Sequence, residues 1–302
     1  MALVAENHTK DSPLLGIGLL LIATVFFAWQ DVFTKQLSSG VSVTQIMVVR
    51  FAAFAIFAMV YAHRKIGLAK AVSSQLPKLQ LTRCLIMCTE IGLFAYAVRF
   101  LGIAEIHAIF SCFPLVVTAL SVPMLGEQVG WRRWLAVLIG FVGTLIIVQP
   151  GSGVFNPAAL LALVCVLMYA FYNILTRKVS KQDRFETSLV YFGVVGFVAS
   201  LLAVIGRWEA VNSEEALLLL GICITSVCSH MLLIKALELT SAVVLQPFNY
   251  FILVWAIILG YVVFGEVLEL HQVVGAGIVV VSGLYVGVRE YLLSKTPGKF
   301  LH

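Results

Sequence analysis

Apolar runs of about 20 residues recur along the whole chain and are separated by short polar connections. A helix of roughly 20 residues is long enough to cross the hydrocarbon core of a bilayer. Hydrophobic residues make up 61% of the 302 residues and charged residues only 12%, whereas about a quarter of residues are charged in a typical soluble domain. Such a chain cannot cover itself in water, so the sequence predicts an all-α integral membrane protein embedded in a lipid bilayer.

Charged and turn residues that flank each apolar run set the boundaries of the expected spans. We predict ten transmembrane helices, at residues 14–36, 43–63, 80–100, 103–124, 131–149, 156–178, 186–206, 215–236, 241–264 and 271–290. The connections between them are too short to hold a sizeable soluble domain.

Positively charged residues are distributed unevenly between the two expected sides of the membrane. Sixteen of the twenty Lys and Arg residues fall on the side of the N-terminus, three (Lys35, Arg99 and Arg207) fall on the other side, and Arg50 lies within a helix. Connections rich in Lys and Arg stay in the cytoplasm, so we predict that both termini are cytoplasmic. This topology accounts for the formal net charge of +5 without a nucleic-acid partner.

The two halves of the sequence resemble each other. Residues 28–38 match residues 170–180 without a gap, at an offset of 142, and residues 97–127 match residues 236–266 at an offset of 139. We therefore predict the following organisation: an N-terminal segment at 1–13, a first repeat at 14–150, a linker at 151–155, a second repeat at 156–290 and a C-terminal tail at 291–302.

An odd number of spans in each repeat, five, makes the second repeat enter the membrane from the opposite side. Inverted repeats are a recurring architecture of secondary transporters, whose two halves open a central site alternately to either side. We therefore predict two inverted five-helix repeats that form a secondary transporter of a small organic metabolite. A membrane channel and an integral-membrane enzyme are the alternative classes.

Short motifs point to a known family. They are the segment Val48-Val49-Arg50-Phe51, the pairs Gly126-Glu127 and Gly265-Glu266, and the glycines Gly140, Gly143, Gly275, Gly277 and Gly283. Over residues 14–290 the chain resembles the drug/metabolite transporter superfamily, EamA type. The resemblance implies ten helices, alternating access, and protons or a counter-substrate as partners. We expect Gly16, Gly140, Gly143, Gly275 and Gly277 to allow close helix packing. We expect the two glutamates to stabilise the helix N-termini that follow them.

The stretch Trp29-Gln30-Asp31, followed by Lys35, resembles the bacterial branch of this family that includes S-adenosylmethionine and riboflavin uptake proteins. This resemblance implies a multi-pass protein of the bacterial inner (plasma) membrane. It does not fix the substrate, because members of the family move amino acids, nucleosides, vitamins, cofactors and drugs. Both a monomer and a homodimer remain open as the working unit.

Three ionisable side chains are expected at membrane depth: Asp31, Arg50 and Glu90. Such groups are costly in a bilayer unless they are paired or in contact with water, so each is a functional candidate. We expect Arg50 to pair with Asp31 or to reach Glu90, or to bind a substrate carboxylate or phosphate through its planar guanidinium.

Proton coupling is predicted for Glu90, with Asp31 and His230 as further candidates. The counterpart of Glu90 in the second repeat is the neutral Ser229, so the two repeats carry unequal charge near the middle of the membrane. A carboxyl group that alternately meets water and substrate could take up and release a proton in each cycle. The alternatives are a permanently paired Glu90, and packing roles for His230 and His107.

Aromatic and amide residues complete the expected substrate site. A pocket of aromatic faces with a few fixed polar groups suits a flat or amphipathic metabolite, and Pro114 and Pro247 predict flexible points in the fourth and ninth spans. The predicted substrate-binding residues are Trp29, Asp31, Arg50, Glu90, Tyr96, Phe171, Tyr172, Asn173, Asn249 and Tyr250, with Phe94 and Tyr169 as further aromatic candidates. The sequence predicts no catalytic cluster, metal site or cofactor.

Overall fold

The computed structural model describes residues 12–101, 103–110, 113–126, 130–148, 157–205, 208–265 and 270–294. The regular structure in these residues is entirely α-helical apart from single turns. The helices are α1 (Pro13–Leu37), α2 (Val43–Lys65), α3 (Leu68–Ala71), α4 (Pro77–Ala97), α5 (Ile103–Ile109), α6 (Phe113–Leu125), α7 (Trp131–Val148), α8 (Pro157–Ser180), α9 (Phe185–Ala203), α10 (Ser213–Leu239), α11 (Ala242–Asn249), α12 (Phe251–Phe264) and α13 (Leu270–Ser294).

Each predicted span corresponds to one helix or to a pair of helices. The fourth span consists of α5 and α6, the ninth of α11 and α12, and α3 is a short extra helix between α2 and α4. The third span begins at Pro77 rather than at residue 80, because proline is favoured in the first turn of a helix. The predicted linker at 151–155 and the two glutamates Glu127 and Glu266 lie outside the described residues.

Six stretches of helix are long and apolar enough to cross a membrane by themselves: Pro13–Leu37, Val43–Lys65, Leu160–Ser180, Phe185–Ala203, Ser213–Leu239 and Ala242–Phe264. Helix α4 is also long enough, but Gln80, Arg83 and Glu90 lower its hydropathy. The apolar parts found in α6, α7 and α13 are shorter. The chain is thus an all-α membrane protein, as predicted.

The internal repeat is visible in where the helices break. In the first repeat α5 ends at Ile109 and α6 begins at Phe113, and in the second α11 ends at Asn249 and α12 begins at Phe251. At the offset of 139 residues that relates the halves of the sequence, the ends of α5 and α11 and the starts of α6 and α12 agree to within one residue. A proline lies close to each break, as expected of a residue that lacks a backbone N–H and disrupts the helix interior.

The repeat extends to the conformation of single glycines. Gly126 and Gly265 both have φ +67°, and their backbone N–H groups donate to Val122 O at 3.2 Å and to Tyr261 O at 3.0 Å. The left-handed conformation at a helix end favours glycine because a Cβ atom would be strained there. The Gly-Glu pairs that mark the family resemblance therefore include equivalent helix C-caps.

The two repeats are intertwined rather than side by side. Helix α1 packs along α10, and its counterpart α8 packs along α4. Two further pairs, α2 with α9 and α7 with α13, join equivalent helices of the two repeats. This exchange of partners is what two inverted five-helix repeats related by an axis in the membrane plane produce.

Glycines allow two of these pairs to approach closely. A Cβ atom on Gly193 in α9 would lie 2.8 Å from the Cα atom of Ala55 in α2, and one on Gly143 in α7 would lie 3.0 Å from Gly275 O in α13. Close packing is therefore confirmed at Gly143. It is wrong at Gly277, which is exposed and where a Cβ atom would have no neighbour within 4 Å among the described residues.

A buried polar cluster connects the two repeats on one side of the bundle. We call the side on which α1 begins the terminal side, and the opposite side the distal side. The Arg83 side chain, which is 0% exposed, donates to Gln80 Oε1 at 2.7 Å, to Ser188 O at 2.8 Å and to Thr176 Oγ1 at 3.3 Å. Gln80 in turn donates to Asp183 Oδ2 at 2.8 Å. We name these five residues the terminal seam.

Four of the five equivalent positions on the distal side are apolar, and the fifth, the counterpart of Thr176, is Thr34. The four apolar residues belong to one buried hydrophobic cluster, which we name the distal seam. Its residues are Leu219 in place of Gln80, Ile222 in place of Arg83, Val41 in place of Asp183 and Ile46 in place of Ser188, together with Leu37. Equivalent positions are therefore held by hydrogen bonds in the terminal seam and by apolar packing in the distal seam.

Candidate functional site

A cavity lies between the two repeats, and both contribute to its wall. Its volume is about 90 Å³, counted as the space open to the centres of water molecules. A single water needs roughly 10–15 Å³ by that measure, so the cavity has room for several. Its wall consists of Thr24, Phe27, Gln30, Asp31, Thr34, Arg50, Met87, Glu90, Ile91, Phe94, Ala95, His107, Phe110, Phe113, Pro114, Tyr169, His230, Asn249, Tyr250, Ile252 and Leu253.

Helix α1 presents one polar face to the cavity. Residues Phe27, Gln30, Asp31 and Thr34 line it, at the spacings of three and four that place side chains on the same face of an α-helix. The Thr34 hydroxyl donates to Gln30 O at 2.7 Å, within its own helix. The Asp31 carboxylate and the Gln30 side-chain amide instead interact with other helices.

Asp31 pairs with a histidine from a different span. Its Oδ2 atom lies 2.8 Å from His107 Nε2, and the Asp31 and His107 side chains are only 8% and 3% exposed. The expected ion pair between Asp31 and Arg50 is absent from the described residues. His107 occupies the partner position because α5 brings its imidazole against α1 at the cavity wall.

Arg50 is held by a neutral amide. Its Nη2 atom donates to Gln30 Oε1 at 3.2 Å, and the same oxygen accepts from Ser229 Oγ at 3.5 Å. Gln30 thus links α2 of the first repeat with α10 of the second. The alternative pairing of Arg50 with Glu90 is likewise not formed in the described part of the chain.

Glu90 projects into the cavity from α4. The residue is 4% exposed, and within the described residues its carboxylate accepts no hydrogen bond. A buried charge of this kind is stable only in contact with water or an opposite charge. The cavity provides the space for either.

His230 reaches the cavity from α10. Its Nδ1 atom lies 3.2 Å from Ser229 Oγ, and its ring stacks on Phe192 at a centroid distance of 4.8 Å and meets Phe27 edge-on at 5.0 Å. Its Nε2 atom has no hydrogen-bond partner among the described residues. The imidazole is therefore fixed in position while one of its nitrogens is unsatisfied.

Aromatic rings form another part of the cavity wall. Phe94 meets Phe110 edge-on at 5.3 Å, and Phe113 stacks on Tyr169 at 4.7 Å. Phe94 lies one turn after Glu90 on α4, so the aromatic rings adjoin the acid. Such a wall can bury the face of a flat ligand.

The break between α11 and α12 places Asn249 and Tyr250 at the cavity. Asn249 Nδ2 donates to Leu245 O and to Gln246 Oε1, both at 3.3 Å. The Tyr250 hydroxyl donates to Val137 O at 2.9 Å, and a Cβ atom on Gly140 would lie 2.6 Å from the tyrosine ring. The absence of a side chain at Gly140 makes room for this ring against α7.

The structure brings eight of the predicted residues to the cavity and leaves five elsewhere. The eight that line it are Asp31, Arg50, Glu90, Phe94, Tyr169, His230, Asn249 and Tyr250. Trp29, Tyr96 and Phe171 are 38%, 50% and 38% exposed on the outside of the bundle. Tyr172 is buried against Phe192 and beneath the Arg83 guanidinium, and Asn173 Nδ2 donates to Tyr169 O within α8 at 2.9 Å.

Two polar residues at the centre of the site were not among the predicted binding residues. Gln30 adjoins Asp31, and the spacing of Phe27, Gln30 and Thr34 on one helix face would have indicated it. His107 was assigned to packing, and only its polar counterpart Gln246 pointed to a special position. Among the described residues no three His, Cys, Asp or Glu side chains are grouped to hold a metal ion.

Comparison with known proteins assigns the family. The model of the EamA-like transporter family matches the chain twice, over residues 14–149 and 156–288. The chain belongs to the EamA-like transporter family. The two matches correspond to the two halves whose helix breaks and glycine caps coincide, and the family consists of transporters rather than enzymes.

Named relatives of this EamA-like transporter carry small molecules. The riboflavin transporter of Vibrio cholerae is 28% identical over 281 residues, covering 92% of this chain and 94% of that protein. The S-adenosylmethionine uptake transporter of Rickettsia felis is 24% identical over 286 residues, covering 94% of this chain and 96% of that protein. A crystal structure of a protein with 15% identity superposes with a TM-score of 0.73, over 92% of this chain and 99% of that one, which supports the fold. The chain is thus a multi-pass membrane transporter of small molecules.

Proposed function

We propose that the chain is a secondary active carrier that moves a small organic metabolite by alternating access, with the central cavity as its substrate site. The observation that supports this most is the position of the cavity between two inverted repeats, since both repeats contribute charged or polar side chains to one water-sized space. Carriers with inverted repeats bind substrate near the bilayer midplane, at the interface of the repeats.

The cavity wall supports a substrate with a flat ring and polar groups. Phe94, Phe110, Phe113 and Tyr169 can cover an aromatic face, and Arg50, with its planar fork of donors, can bind a carboxylate or phosphate. The named relatives make riboflavin and S-adenosylmethionine the first candidates. Both contain a flat heteroaromatic ring system with polar substituents.

The orientation proposed for the carrier follows from its positive charges. The terminal side holds most of the Lys and Arg residues, and it faces the cytoplasm if the chain obeys the positive-inside rule. A bacterial inner membrane is the corresponding location, as for the bacterial relatives.

Energy coupling is proposed to use either protons or exchange against a second substrate. Glu90 is the first candidate for a coupling proton because its carboxylate faces the cavity without a hydrogen-bond partner among the described residues. Asp31, whose Oδ2 atom lies 2.8 Å from His107 Nε2, is the second candidate. His230 is the third candidate, through its unsatisfied Nε2 atom.

Uptake into proteoliposomes tests the proposed carrier. We expect saturable uptake of labelled riboflavin or S-adenosylmethionine, accelerated by unlabelled substrate on the opposite side of the membrane. Arg50→Gln should reduce uptake at least tenfold, and the same change at the exposed Arg64 should leave it unchanged. Flux that rises linearly with concentration and shows no counter-substrate stimulation would contradict a carrier and support a channel.

A further inference from the structure

Arg50 forms no direct ion pair with another of the described residues. No carboxylate oxygen of the described residues lies within salt-bridge distance of its guanidinium, and its hydrogen bond goes to the amide oxygen of Gln30. An amide orients a guanidinium but leaves its net charge in place. The cavity therefore contains an arginine that is held in position without a direct ion pair.

The negative charge of Glu90 is in the same situation. Its carboxylate makes no hydrogen bond or ion pair within the described part of the chain, and it lines the same cavity. Asp31, the other acid in the wall, is already bound to His107 at 2.8 Å. Arg50 and Glu90 are thus left as one positive and one negative group that face a shared space.

We propose that the transported substrate is amphoteric, with an anionic group that binds Arg50 and a cationic group that binds Glu90. This inference rests on the proposed function of the cavity as the substrate site. The rings of Phe94 and Phe110 beside Glu90 suit a flat portion of the same molecule, and aromatic faces also favour a nearby cation.

Charge balance is the reason for preferring an amphoteric substrate over a simpler one. Closing a cavity around a ligand removes water from the groups in its wall, and a charge left without a partner is then strongly penalised. An anion would leave Glu90 unpaired, a cation would leave Arg50 unpaired, and an uncharged ligand would leave both. A ligand with both charges satisfies the two residues at once.

Gln30 is the positioning residue of this arrangement. Its side chain has nearly the shape of a glutamate, so a carboxylate at this position would form the ion pair that Arg50 lacks. Gln30→Glu should therefore make Arg50 unavailable to a substrate anion while it changes the shape of the wall very little. The neutral amide keeps the anion site open.

Two series of compounds with matched ring systems test the substrate class on the purified wild-type protein. In the indole series, tryptophan carries both charges, tryptamine only the positive one and indole-3-propionate only the negative one. In the adenosyl series, S-adenosylhomocysteine carries an amphoteric head group that 5′-methylthioadenosine lacks. Equilibrium binding and thermal stabilisation are measured for each compound and for riboflavin, and uptake is measured in proteoliposomes.

We expect the amphoteric member of at least one series to bind about tenfold more tightly, or more, than its ring-matched relatives, as for the loss of one charge-assisted hydrogen bond. Equal binding within both series overturns the proposal. Binding and saturable uptake of riboflavin with no binding of an amphoteric compound also overturns it but leaves the carrier function intact. If none of these compounds shows saturable uptake, the result counts against both the amphoteric substrate and the carrier function.

Variants test the two residues separately, by binding rather than by transport. Glu90→Gln and Gln30→Glu should each weaken binding of the amphoteric compound about tenfold or more. The same chemical changes at exposed positions, Glu214→Gln and Gln36→Glu, should leave the dissociation constant unchanged. Unaltered binding in both cavity variants would refute the assignment, and the wild-type series decides the substrate class even if a variant does not fold.

Discussion

The terminal seam offers a direct test of how this protein is held together. Arg83→Met keeps a long, flexible side chain but removes the guanidinium and its hydrogen bonds. Two of these bonds are short, at 2.7 Å to Gln80 Oε1 and 2.8 Å to Ser188 O. Each bond to a charged group contributes about 1.5–3 kcal/mol net, and removal of the buried charge itself returns part of that sum. We expect a loss of about 3 kcal/mol in the free energy of unfolding.

The inverted repeat supplies the matched control. Ile222 holds the position of Arg83 in the distal seam and is equally buried, at 0% exposure. Ile222→Met exchanges one apolar side chain for another of similar volume, a change that costs less than about 1.5 kcal/mol. Both variants place the same residue at the same structural position, so the difference between them isolates the polar network.

The assay is unfolding of the purified protein in mixed micelles by titration with sodium dodecyl sulfate, followed by far-UV circular dichroism. A third variant, Gln80→Leu, and its combination with Arg83→Met complete a double-mutant cycle. Because Arg83 and Gln80 bond to each other, we expect a coupling energy between about 0.5 and 3 kcal/mol. The reasoning is refuted if Arg83→Met costs no more than Ile222→Met.

Three further changes probe the packing and the cavity. Gly193→Ala forces a Cβ atom against the backbone of α2 and should cost about 1–3 kcal/mol of unfolding free energy. Gly18→Ala, whose Cβ atom meets no described neighbour within 4 Å, should be neutral or stabilising in the same titration. Equal losses in the two variants would contradict this. Asp31→Asn and His107→Gln each break the same buried pair, so the loss of unfolding free energy in the double variant should be smaller than the sum of the two single losses by about 0.5–3 kcal/mol. Additive losses would show that the pair contributes nothing. Glu90→Gln should abolish uptake driven by a proton gradient while exchange persists at substrate concentrations raised to offset the weaker binding. Undiminished gradient-driven uptake would remove Glu90 from proton coupling.

Much of the fold could be predicted because the bilayer restricts the chain so strongly. Apolar length fixes where spans occur, and the match between residues 97–127 and 236–266 fixes the repeat. The split of the fourth and ninth spans into helix pairs was only partly foreseen, through Pro114 and Pro247. A proline marks a weak point, but the exact residue at which a helix breaks depends on the packing around it.

The charged part of the candidate site could also be predicted from the sequence. Asp31, Arg50 and Glu90 are costly at membrane depth, and that cost predicts a shared polar space such as the cavity. The partners of Asp31 and Arg50 could not be predicted, because the sequence does not give the rotation of each helix. His107 and Gln30 occupy the partner positions in the structure. Trp29 illustrates this limit: it lies two residues from Asp31, yet 100° per residue turns it to the outside of α1.

Under the proposed alternating access, the contrast between the two seams predicts different heat capacities for the opening of the two ends of the bundle. Exposing apolar surface raises the heat capacity, while exposing polar groups lowers it. Opening at the distal seam therefore becomes easier as the protein is cooled, because hydrophobic stabilisation weakens in the cold, and the hydrogen bonds of the terminal seam do not follow that trend. We therefore expect temperature alone to shift the proposed balance between the two sides.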